Sequence, residues 1–63
     1  MERIATFQNR NHYYEVVKVN GQLLFRNVRG ESWSKVESIL RIPQVDRKLK
    51  GELRKIVRRL SQG

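Results

Sequence analysis

The dipeptide Asn20-Gly21 constrains this chain more than any other feature. It sits between two runs of strand-favouring residues and suits a two-residue hairpin turn in which both central positions need positive φ. Taking it as the loop fixes a register. Val19 then faces Gln22, Val17 faces Leu24, Glu15 faces Arg26 and Tyr13 faces Val28 on one side. Lys18 with Leu23, Val16 with Phe25, Tyr14 with Asn27 and His12 with Arg29 share the other. The opposition of Glu15 and Arg26 supports this pairing, because unlike charges facing across an antiparallel pair help it.

Upstream, the polar cluster Gln8-Asn9-Arg10-Asn11 joins a short first strand, about Arg3 to Phe7, into a three-stranded antiparallel meander. The length of this loop leaves its register open, so the faces of Ile4 and Phe7 stay unassigned. Both faces of the sheet carry apolar residues. Helices can cover one, and the other is exposed or buried against something else.

Gly30 ends the strand region, and Ser34-Lys35-Val36-Glu37 reads as a capping box with Ser34 as N-cap. A short helix to about Arg41 docks through Val36, Ile39 and Leu40, with Trp33 before it as a core anchor. Pro43 fits the first turn of a second helix, expected from about Pro43 to Leu60. At ~100° per residue, Val45, Leu49, Leu53, Ile56, Val57 and Leu60 fall within roughly a 120° arc. Arg47, Lys48, Lys50, Arg54, Lys55, Arg58 and Arg59 occupy the remaining side, together with Gly51. The expected fold is one α+β domain over residues 1–63, ordered βββαα.

A chain of 63 residues without cysteine must rest on packing or on a partner subunit, since no disulfide or thiolate metal site can supplement its core. A homodimer, through the sheet face or an edge strand, is compatible with this. The N-terminal residues mix acid and base and lead into no long apolar run, so a cytoplasmic protein without membrane insertion is expected.

Charge supplies the functional reading. The formal net charge is +8, of which residues 1–40 carry +2 and the remainder +6. The second helix therefore owns the excess, and Glu52 is the only acid within its cationic run. Such a face costs stability unless a polyanion meets it. Nucleic acid, DNA or RNA, is the leading partner, held by phosphate neutralisation with Arg54, Arg58, Arg47 and Lys50 at the middle of the arc. Arg10, Arg26 and Arg29 on the sheet and its loops form a second candidate surface, beside Tyr13 or Tyr14 as stacking platforms. The apolar stripe lacks an aromatic and is needed as cover for the sheet, which disfavours a membrane-surface helix. The alternative reading is a protein-interaction module, an inhibitor or adaptor, that docks on an acidic protein.

Catalysis finds no support in these residues, and a non-enzymatic protein without a cofactor is expected. His12 is the sole histidine and the six acidic residues are scattered. Ser32 and Ser34 suit caps better than nucleophiles, and no glycine-rich phosphate loop is present.

Overall fold

A computed structural model describes residues 1–30 and 32–62; Glu31, counted above among the acids, and Gly63 lie outside the described residues. Strands β1 (Glu2–Asn9), β2 (His12–Val19), β3 (Gln22–Asn27) and β4 (Ser34–Lys35) precede helices α1 (Val36–Leu40) and α2 (Arg47–Gln62). The sheet is antiparallel with strand order β1-β2-β3-β4, so the meander gains a two-residue fourth strand. Chain order alone sets this topology, because each strand pairs with its sequence neighbour.

Asn20-Gly21 forms the expected turn, with φ of 51° and 80°. β2 and β3 pair in the predicted register from Tyr14↔Asn27 to Val19↔Gln22, Glu15↔Arg26 included. Beyond the last pair, the Val28 amide still donates to the Tyr13 carbonyl at 2.9 Å. β1 is longer than expected, and its turn is tighter. Asn9 pairs with His12, leaving only Arg10 and Asn11 in the loop, with Arg10 at a φ of 58°. A bulge at Ile4, between Arg3 and Ala5, interrupts this edge strand, a device that discourages edge-to-edge pairing.

Alternation along the strands then sorts the two faces. Val16 and Phe25, directly paired, form the buried centre of one face, and Val36 of α1 with Leu53 and Ile56 of α2 close over them. Ile4, Ala5, Phe7 and Tyr14 join this cluster from the sheet, with the Phe7 and Tyr14 rings stacked at 5.2 Å. Both helices pack here. The opposite face carries Glu15, Val17 and Arg26 and has no described helix over it. Val17, paired with Arg3 on one side and Leu24 on the other, is nonetheless only 2% exposed.

Three local expectations are corrected. Ser34 pairs with Phe25 in β4, so the residue preceding α1 is Lys35, which makes no side-chain cap bond, and the capping box does not form. Pro43 stands in a turn before α2, which starts at Arg47. Asp46 is the superior cap: its Oδ1 accepts the Lys48 amide at 3.0 Å, and its carbonyl accepts the Lys50 amide at 3.1 Å. Trp33 is half-buried and outside the core cluster, lying beneath the Arg26 guanidinium at 4.4 Å on the face away from the helices. The stripe of α2 is buried at Leu53 and Ile56 and half-buried at Leu49 and Val57, while Leu60 is 42% exposed. Val45 precedes the helix.

Candidate nucleic-acid interface

α2 turns its apolar stripe to the sheet, so the side chains about 180° away from Leu53 and Ile56 must face outward. Arg47, Lys48, Arg54, Lys55, Arg58 and Arg59 are all exposed there. Lys55 donates to Glu52 Oε1 at 3.3 Å, an i,i+3 pair at the surface worth little. The other five, Arg47, Lys48, Arg54, Arg58 and Arg59, have no carboxylate partner among the described residues. With a rise of about 1.5 Å per residue, the row Arg47, Arg54, Arg58 extends about 16 Å along the helix.

These charges are placed against the helix's own electrostatics. The first turn of α2 holds no acidic residue and begins with Arg47 and Lys48, at the end where the macrodipole is positive. Asp46 offsets part of this. Its Oδ2 accepts Arg10 Nε at 2.8 Å and Asn9 Nδ2 at 3.2 Å, while Oδ1 caps the helix. The Arg10 bond, then the capping amide of Lys48 and the Asn9 amide, hold the Asp46 carboxyl far below the usual carboxylate range. The same bond raises the Arg10 guanidinium.

Lys50 is not part of the cationic surface. It is buried, and its Nζ donates to the Ile42 carbonyl at 2.8 Å, pinning the turn that contains Pro43. Its position was legible in principle, because Lys50, Leu53 and Val57 stand at spacings of three and seven and so share a helix face.

The sheet cations divide. Arg10, at the β1–β2 turn, is carried to the N-terminal end of α2 by Asp46 and thus adjoins Arg47 and Lys48. Arg29 is exposed at the same end of the sheet, where its amide donates to Asn27 Oδ1 at 3.0 Å and Asn27 Nδ2 lies 3.0 Å from His12 Nδ1. Arg26 does not converge with them. It lies on the helix-free face, donating to Glu15 Oε1 at 2.7 Å, while Arg3 Nη2 donates to Oε2 at 3.1 Å. Chiefly through the Arg26 bond, the Glu15 carboxyl is lowered from its ordinary value. Of the two tyrosines, Tyr14 belongs to the core cluster and Tyr13 is 57% exposed on the helix-free side.

Among the described residues, no group of His, Asp and Glu is arranged to hold a metal ion and no helix is long and apolar enough to cross a membrane. No family model matches the chain, and comparison with curated proteins and with solved structures finds no match for it.

Proposed function

We propose that this protein binds nucleic acid non-enzymatically, as a regulator or accessory factor, gripping phosphates with the outer face of α2. One observation carries this reading: five exposed cations on that face lack an internal carboxylate partner among the described residues, although holding them together costs stability. Arg54, Arg58 and Arg47 form the central row, Lys48, Lys55 and Arg59 flank it, and Arg10 and Arg29 extend it past the N-terminal end. Arginine forks bond phosphate oxygens in pairs, and each contact releases counterions. A mobility-shift assay at ~50 mM salt tests this: complexes form at micromolar protein and weaken as salt rises. Absence of any complex with duplex or single-stranded nucleic acid contradicts it.

A separate observation favours the second reading, an acidic protein partner. A largely apolar cavity of about 460 Å³ opens between the β2–β3 turn, α1 and α2, lined by Leu23, Val36, Leu40 and Val57, with Lys35 beside the Glu37–Arg41 pair at its polar rim. Acidic proteins retained from a nuclease-treated lysate support that alternative; their loss with nuclease supports nucleic acid.

A further inference from the structure

The β2–β3 turn, α1 and the later turns of α2 do not close fully on one another. The cavity of about 460 Å³ between them has Val36, 2% exposed, as its floor and half-buried Leu23, Leu40 and Val57 as its walls. Val36 also belongs to the central core cluster, so the hollow reaches the edge of the packing that holds the domain together. The described residues include only six buried apolar side chains, and beside so small a core an unfilled apolar hollow costs stability. An occupant that fills it restores that stability.

The rim carries one net charge. Glu37 and Arg41, one turn apart, are paired with each other at 3.7 Å and cancel. Lys35 is exposed and has no carboxylate partner among the described residues. A ligand complementary to this arrangement carries a single negative charge at one end of an apolar body.

Size and shape narrow the class. The lining comes from nine described residues, well short of the ~20 to 30 a side that a stable protein interface engages. The volume falls instead within the roughly 300 to 1,000 Å³ of small-molecule sites. At roughly 30 Å³ per non-hydrogen atom, the share of a water in the liquid, the cavity holds on the order of 15 such atoms. Its described lining has no aromatic ring on which a flat ligand could stack, and aliphatic walls from three elements suit a flexible chain. We propose that this cavity binds a medium-chain aliphatic carboxylate, with the tail among Leu23, Leu40 and Val57 and the carboxylate at Lys35. The inference goes beyond phosphate binding by α2 and does not depend on it.

Calorimetric titration of the intact chain with hexanoate, octanoate, decanoate, dodecanoate and tetradecanoate, each below its micellar concentration, tests it. Binding should be one to one. Affinity should rise by up to about fourfold per added CH2, the equivalent of ~0.8 kcal/mol, and level off near dodecanoate once the cavity is full. Decanoate should also raise the thermal midpoint. Lys35→Gln, at an exposed position, should weaken decanoate roughly two- to fivefold and leave binding of uncharged decanol unchanged. Val57→Phe, which places a ring in the hollow, should remove binding of both; if that variant does not fold, Lys35→Gln and the chain-length series decide. The double variant Arg54→Gln, Arg58→Gln should bind decanoate with nearly the wild-type affinity. Affinity that keeps rising past tetradecanoate, or that falls as much with the double variant as with Lys35→Gln, shows only the attraction of an anionic amphiphile to a chain at +8 and overturns the inference. Absence of binding overturns it as well, and capture of an acidic, leucine-containing peptide without decanoate binding assigns the cavity to a protein partner. Each of these results leaves the α2 reading standing.

Discussion

Asp46 and Arg10, 36 positions apart in the chain, meet through a 2.8 Å bond from Arg10 Nε to Asp46 Oδ2. That one carboxylate caps α2 with its other oxygen, so the β1–β2 turn and the start of the basic helix are fixed to each other. Arg10 is held at positive φ in that turn, a conformation that non-glycine residues adopt at a cost.

This relationship has a pH signature. Because the folded-state pKa of Asp46 is depressed, its contribution to stability is complete above the unfolded value of about 3.9 and is lost as pH falls through the folded value. Glu15 adds to the slope in the same direction. Asp46→Asn retains the cap but loses the charge, so its thermal midpoint should fall at neutral pH and depend less on pH below 4 than the wild type, to within about a unit. Asp46→Ala should fall further. Equal pH profiles for Asp46→Asn and the wild type would show the ion pair to be inert.

Lys50 is expected to behave as a structural residue. Lys50→Ala leaves the Ile42 carbonyl without its 2.8 Å donor and should cost about 1 to 3 kcal/mol in chemical denaturation. Nucleic-acid affinity per folded molecule should not change. A drop in affinity with unaltered stability would place Lys50 on the binding surface after all.

Leu53 and Trp33 should separate in the opposite sense from their sizes. Leu53 is 0% exposed at the centre of the core, so Leu53→Ala should cost about 2 to 5 kcal/mol, enough to unfold much of a domain whose total stability is on the order of 3 to 9 kcal/mol. Trp33 lies outside that core and supports Arg26, so Trp33→Ala should cost only about 1 kcal/mol. Denaturation of both variants by urea checks the order, and a larger loss at Trp33 contradicts the packing described.

The contrast between the two hairpins explains what was legible in the sequence. Asn20-Gly21 declares its turn because its residue types tolerate the required φ, and every β2–β3 pair follows from it. Arg10-Asn11 makes an equally short loop with an arginine at positive φ, stabilised by Asp46 from far along the chain, and no local signal reports that. Ser34 satisfied a capping pattern, but pairing with Phe25 in β4 outweighed it. Trp33 reads as a core anchor from its place just before the apolar positions of α1, whereas its place opposite Arg26 follows from the pairing of β4, which begins one residue later. Within the candidate site, the outward face of α2 was readable from periodicity. The division of Arg10 from Arg26 was not, because it is set by which face of the sheet the helices choose.

The central claim is that the unpartnered cations of α2 grip phosphates, and the salt dependence of binding tests it most directly. Affinity for a short DNA duplex should be measured against salt concentration for the wild type and for the triple variant Arg54→Gln, Arg58→Gln, Arg59→Gln. These positions lie off the apolar stripe, so the variant should unfold at nearly the wild-type midpoint. Its plot of log affinity against log salt should be shallower by roughly 2 to 3 units, as expected for the loss of up to three phosphate contacts. A folded triple variant with the wild-type slope and affinity would contradict the account.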